Sequence, residues 1–280
     1  KLTIGYFLDN SIAAGICSPY YSLIFDAIEK QASAKGYSVV YFTDNSETSM
    51  QQVLGKLDGV IATCFPRVEA TIARIKQRVP VVVIDNPAAD KSIPAVAIDN
   101  FNAIAESVAY VISLGHENIG FLTGLDDSDV GAHRLSGYLS SLEDHGITCR
   151  NELVFKGNYS FESGFAGAEH FLAIPDPPTA IICANDSMAL GVMKKLDSCG
   201  ISVPRDISII GFDDIAVAAQ ITPALTTTTA PVQDIATHAV TLLINLIEGK
   251  DISMPHIALR ASLAIRSTCA RPNRAMRRQL

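Results

Sequence analysis

Residues 179–191, TAIICANDSMALG, constrain the fold of this chain most: an apolar run stops at two polar side chains and a helical pattern begins at once. Ile181, Ile182 and Cys183 read as a short strand buried on both faces, and the stretch from Ser187 to Met193 as the helix that follows. Asn185 and Asp186 fall at the junction. In an open parallel sheet such a junction lies at the carboxyl end of a strand, where ligands bind and where the next helix offers unpaired N–H groups. One of the two residues serves as the helix N-cap, and the other is then expected to point into the crevice. The same grammar recurs in residues 207–214, ISIIGFDD, and 81–85, VVVID. Three strands that each end in Asn or Asp predict one polar pocket assembled from separate segments.

Strand and helix alternate along the rest of the chain. Strands are expected at 3–8, 38–42, 59–62 and 81–85, with helices from about Tyr20 to a closing Gly36, at 47–57 and at 68–78. A polar, proline-bounded connection (87–94) leads to a short strand at 95–98 that crosses to a second lobe. From Asp99 the pattern restarts. A helix bearing Phe101, Ile104, Val108 and Val111 ends near Gly115, a strand covers 119–122, and a helix carries Arg134 and Tyr138. Strands around 153–155, 180–183 and 207–210 then alternate with helices around 162–173 and 187–199. The polar run 226–229 leads to Pro231, a strongly amphipathic helix built on Ile235, Ala239, Leu242, Leu243 and Leu246 ends at Gly249, and 259–265 reads as a last strand. With no hairpin signal between them, these units predict an α/β protein with parallel sheets. At 280 residues, two lobes with separate cores are the default.

Composition excludes several functions. No apolar run is long enough to span a membrane, and no basic segment with an apolar signal core opens the chain. A net charge of −7 disfavours nucleic-acid binding by these residues, because DNA affinity comes largely from cations that displace counterions from phosphate. The basic end with Arg271, Arg274, Arg277 and Arg278 reads as solvated. Six cysteines without CxxC spacing suit reduced thiols in a cytoplasm, and neither a zinc motif nor an HExxH pair is present. The acidic loop Asp126, Asp127, Asp129 lacks the ligand spacing of a calcium loop. There is no P-loop, GxGxxG or GxSxG, so no cofactor is expected and catalysis has little support. The remaining catalytic option is Asp85 and Asp213 as a glycosidase pair.

The candidate site residues suit a polyhydroxylated ligand. Arg134 carries five fixed donors, while Asp85, Asp213 and Asn185 supply acceptors. Tyr20, Tyr21 and Tyr159 offer flat faces for a ring, with rim or core packing as the plainer alternative. For Arg134 the plainer alternative is an ion pair with a nearby aspartate.

Six segments, taken together and in this order, resemble the regulatory core of lactose/galactose-repressor-type (LacI/GalR) bacterial transcription regulators: LGHENIG at 114–120, RLSGY at 134–138, ANDSMALG at 184–191, VPRDISIIGFDD at 203–214, TPALTT at 222–227 and IRST at 265–268. The resemblance implies two lobes of the periplasmic-binding-protein type I, joined by three crossover segments. Crossings near 98, 230 and 259 would give an N-terminal lobe of 1–98 with 231–259 and a C-terminal lobe of 99–230 with 260–280. It implies an effector held between the lobes, a sugar or sugar phosphate ahead of a purine, contacted by Arg134, Asn185 and Asp213. Asp85 and the ring of Tyr159 join that set, and Asp9, Tyr20 and Tyr21 lie where contacts vary within the family. A cytoplasmic homodimer without cofactor is implied, with operator DNA bound only through a helix-turn-helix that is not among these residues. The alternatives are a periplasmic sugar-binding protein of a transporter, which shares the fold, and a sugar-modifying enzyme.

Overall fold

The computed structural model describes residues 2–10, 12, 14–43, 47–125 and 128–273. Asp126, Asp127, Arg274, Arg277 and Arg278 lie outside the described residues. In chain order the elements are β1 (Thr3–Phe7), α1 (Pro19–Ser33), β2 (Ser38–Phe42), α2 (Glu47–Leu54), β3 (Gly59–Thr63), α3 (Glu69–Lys76), β4 (Val81–Ile84) and β5 (Ala95–Ile98). There follow α4 (Asn100–Ser113), β6 (Ile119–Thr123), α5 (Asp129–Asp144), β7 (Val154–Lys156), α6 (Phe161–Ala173), β8 (Ala180–Cys183), α7 (Asp186–Ser198) and β9 (Ser208–Asp213). The series closes with α8 (Ala216–Gln220), β10 (Thr226–Thr229), α9 (Val232–Ile247), β11 (His256–Leu259) and β12 (Ser262–Ala264).

The chain divides into two compact units, Lys1–Ile98 with Pro231–Leu259 (unit 1) and Asp99–Ala230 with Arg260–Leu280 (unit 2). Unit 1 carries a six-stranded sheet in the order β11-β5-β4-β3-β1-β2, parallel throughout. Unit 2 carries the order β12-β10-β9-β8-β6-β7, parallel except for the β10–β12 pair. The central strands β3, β4, β6 and β8 are buried along their whole length, which is why they read as continuous apolar runs rather than alternating ones. In unit 1 the amphipathic face of α9 (Ile235, Ala239, Leu243) is buried and packs on β3, β4 and α1.

One expectation is corrected, and one strand went unread in the sequence. The last strand expected over 259–265 is two strands, β11 and β12, in different sheets. The chain leaves unit 1 at Leu259, so one continuous strand cannot serve both. The polar run 226–229 is an interior strand, with Thr226, Thr227 and Thr228 buried. It can lie inside because every hydroxyl has a partner. Thr226 accepts from the Arg266 N–H, Thr227 donates to Asp186, Thr228 pairs with Ser107, and Thr229 donates to Asp214. The β-branched side chain then favours the extended backbone that its polarity hides from a hydropathy pattern.

Candidate functional site

Each parallel sheet has one place where successive connections leave in opposite directions, and there the carboxyl ends of two neighbouring strands open a crevice. In unit 1 it lies between β1 and β3, and in unit 2 between β6 and β8. The segments leaving these strands carry Asp9, Arg67, Gly124 and Asn185.

In unit 2, Arg134 projects from α5 and is only 5% exposed. Its Nε donates to Asn100 Oδ1 at 2.8 Å, an Nη donates to the Ala184 carbonyl, and the guanidinium lies 3.6 Å from the centre of the Phe212 ring. These groups, not a nearby aspartate, hold the charge, so the expected ion-pair alternative is replaced by a carbonyl, an amide and a ring face. Asn185 caps α7. Its Oδ1 accepts from the Met188 N–H at 2.9 Å and its Nδ2 donates to the Tyr159 carbonyl at 3.0 Å. Tyr159 has φ +68°, and its ring lies so close over Gly124 that a Cβ there would sit 1.9 Å from the ring Cζ. Asp213 ends β9, is 8% exposed, and has φ +107°. The structure thus brings Arg134, Tyr159, Asn185 and Asp213 to neighbouring points on one edge of the unit 2 sheet. Arg134 reaches the residue before Asn185 and covers the residue before Asp213.

Asp186 corrects the expectation that the second junction residue points into a crevice. It is fully buried, accepting from Thr227 Oγ1 at 2.5 Å and from the Ile215 N–H at 2.9 Å. Burial pushes its carboxyl up to about 7, the like charge of Asp214 adds to this, and the bonds from Thr227 and Ile215 oppose it. Asp214 itself is paired, at 2.7 Å to Arg266 and 2.9 Å to Thr229. His116 of the LGHENIG segment is also structural. Its ring nitrogens lie 2.8 Å from Thr179 Oγ1 and from the Ala270 carbonyl, and burial holds its pKa below the usual value.

In unit 1 the partners are different. Asp85 follows β4 with φ +68° and accepts at 2.8 Å from the hydroxyl of Tyr20, whose ring meets Tyr21 edge-on at 5.1 Å. Asp9 follows β1 and accepts from Arg67 Nε, and that guanidinium lies 4.7 Å from the Phe65 ring centre. Of the three strand ends singled out in the sequence, Asn185 and Asp213 belong to unit 2 and Asp85 to unit 1. Five described non-glycine residues have positive φ, and four of them (Asp85, Tyr159, Asp213, Asp214) lie at these polar edges. Backbone held this way is strained and persists where surrounding bonds enforce it.

Sequence reasoning missed Arg67, Asn100 and Phe212. Asn100 sits one place after the N-cap Asp99, and Arg67 lies in a single 3-10 turn, Pro66–Val68, where no periodicity marks it. Phe212 reads as core because it is core, its ring serving at once as filling and as a bed for the guanidinium. Among the described residues no three metal-ligating side chains gather, and no helix is long and apolar enough to cross a membrane.

Residues 108–269 match the periplasmic binding protein-like domain. The chain is 32% identical to the probable HTH-type transcriptional repressor ExuR of Bacillus subtilis over 96% of its own length and 81% of that protein's. The chain belongs to the LacI family of transcriptional regulators. This LacI-family core is also 32% identical to the HTH-type transcriptional repressor CytR of Escherichia coli, over 93% of its length and 79% of that repressor's. Its fold superposes with a TM-score of 0.79 on a sugar-binding LacI-family regulator from Escherichia coli solved with phosphate, at 30% identity over 96% and 99% of the two chains. The homologues are repressors, which sets the regulator reading above a transporter's sugar-binding protein. In this LacI-family core the motif glycines have a steric reason. A Cβ on Gly137 would meet the Phe101 carbonyl at 2.3 Å, and one on Gly191 the Phe161 carbonyl at 2.0 Å, so α5 on α4 and α7 on α6 approach backbone to backbone.

Proposed function

We propose that the polar strand ends of both units contact one small hydroxyl-rich effector, a sugar or sugar phosphate ahead of a purine. Arg134 supplies donors to hydroxyl or phosphate oxygens, Asp85 and Asp213 accept from hydroxyls, Asn185 fixes the edge on which they meet, and Tyr159 offers a ring face. Tyr20, Tyr21 and Asp9, the last already engaged by Arg67, border the unit 1 side. The observation that carries this reading is Arg134 itself. A guanidinium 5% exposed, with two of its N–H groups bonded to an amide and a carbonyl, keeps donors for an oxygen-rich molecule. Such a molecule changes operator affinity to the extent that it binds two conformations of the regulator unequally. We place the chain in the cytoplasm as a homodimer, with operator contact supplied by a helix-turn-helix of the kind its relatives' names declare.

Calorimetric titration with D-glucose, D-ribose, D-glucose 6-phosphate, cellobiose, adenine and hypoxanthine tests the assignment. For any compound that binds, Arg134→Ala and Asp213→Asn are expected to weaken affinity by about 30-fold each, the worth of a lost charge-assisted hydrogen bond. Asparagine tolerates the positive φ at position 213, so the second variant keeps the turn. Wild-type affinity in both variants contradicts the site.

A further inference from the structure

Asp186 is not a surface cap, and its surroundings explain why a carboxyl is buried there. One oxygen accepts from Thr227 on β10 and the other from the backbone of Ile215, the residue that caps α8. The first oxygen also lies over Gly211 of β9, where a Cβ would sit 2.1 Å from it. The carboxyl therefore grips β9 at Gly211 and again just past its end at Ile215. Between these two anchors lie Phe212, which carries the Arg134 guanidinium, and Asp213 and Asp214, at φ +107° and +60°. Phe212 and Asp213 are paired with Thr228 and Thr229 of β10, and Asp214 with Arg266 and Thr229, but the exit from the strand at Asp213–Asp214 is strained, because two consecutive non-glycine residues there have positive φ.

We propose that Asp186 is a positioning residue of the unit 2 site, its buried carboxyl setting the Asp213–Asp214 turn at the end of β9 that presents Asp213. This rests on the effector reading above for its functional meaning, though the turn can be followed without any effector. The closed turn also takes up a proton. The groups facing Asp186 are the Cys183 thiol from β8, itself pushed up by burial, and the Asp214 carboxylate past the end of β9, which Arg266 pairs. β10 and α8 bring only uncharged residues. Burial disfavours the ionised carboxyl, whereas opening the turn to water returns it to its ordinary range, so loss of the proton favours opening. Acidification then tightens the turn and a rise in pH through neutrality loosens it.

Hydrogen–deuterium exchange on the free protein tests this, with rates corrected for their intrinsic pH dependence. At the amides of 213–215 in the wild type, protection is expected to fall about ten-fold or more between about pH 5.5 and about pH 8.5, while β1 of unit 1 serves as a control. Asp186→Asn should remove that pH dependence at these amides. Thr227→Val, which deletes one bond and leaves the carboxyl, should lower protection there and keep the slope. The proposal is overturned if the wild type shows no slope confined to this turn, if Asp186→Asn retains it, or if Asp186→Asn lowers protection evenly across unit 2. A panel compound that binds through Arg134 and Asp213 while these amides ignore Asp186→Asn sinks the positioning role alone. A turn that responds as expected in a protein that binds none of the panel compounds leaves the positioning intact and counts against the effector reading.

Discussion

The two sheets run their strands in matching order around their switch points, yet they hold their polar edges by different means. In unit 2 each of these side chains has a backbone partner, beside any side-chain ones: the Ala184 carbonyl as well as Asn100 for Arg134, the Tyr159 carbonyl for Asn185, the Ile215 N–H as well as Thr227 for Asp186. In unit 1 side chains hold side chains, Tyr20 on Asp85 and Arg67 on Asp9. Backbone partners are fixed by the fold and survive substitution of their own residue, so the unit 2 edge is a constant frame. Side-chain partners can be exchanged one at a time, so the unit 1 edge can change its polar pairing without loss of fold.

The contrast is sharpest at two glycines. A Cβ on Gly191 meets the Phe161 carbonyl at 2.0 Å, whereas one on Gly59 meets the end of the flexible Leu243 side chain at 2.8 Å. Gly191→Ala is expected to cost about 3 kcal/mol or more and Gly59→Ala about 1 kcal/mol, read from denaturant midpoints with hydrogen exchange to assign each loss to its unit. Equal costs would break the comparison.

A smaller difference is expected between two arginines. Arg134→Met removes the buried donors to the Ala184 carbonyl and the Asn100 side chain and should cost about 2–3 kcal/mol. Arg67→Met, on a pair that reaches solvent, should cost about 1 kcal/mol or less. The third test is pH. The Asp186 carboxyl titrates near 7 in the folded chain against an ordinary value of 3.8, so the unfolded chain loses its proton first. Its contribution to stability is present in full below about pH 4 and is lost as pH rises through 7, on the order of 2–4 kcal/mol relative to Asp186→Asn. Thermal scans of both proteins should show the gap between them changing by that amount between about pH 4 and pH 8, and a gap that stays constant contradicts the raised carboxyl. Tyr20→Phe, which loses the hydrogen bond to Asp85, is expected to cost about 0.5–1.5 kcal/mol, read from denaturant midpoints.

Much of this was legible in the sequence, for reasons that differ by residue. The strands at Ala95–Ile98 and Ala180–Cys183 stand where apolar runs bounded by polar residues put them, because a strand buried on both faces must be apolar throughout, while Ser38–Phe42, an edge strand with Val40 exposed, is marked by its β-branched and aromatic residues. β10 was hidden because its burial is bought with hydrogen bonds that no periodicity reports. The Asn-Asp junction was legible as a junction and misread in its division of labour, since only the fold shows that Thr227 and Ile215 wait for a buried carboxyl. Arg134 and Asp213 stood out by motif. Arg67 and Asn100 owe their places to a loop and a helix end brought alongside by tertiary structure, which single-sequence patterns do not encode.

The most direct measurement is a crystal structure of the protein with a compound that calorimetry shows to bind. The account predicts that compound's oxygens within hydrogen-bond distance of Arg134 and Asp213 from unit 2 and of Asp85 from unit 1. A compound seated away from Arg134 and Asp213, with binding unaffected by their substitution, would contradict it.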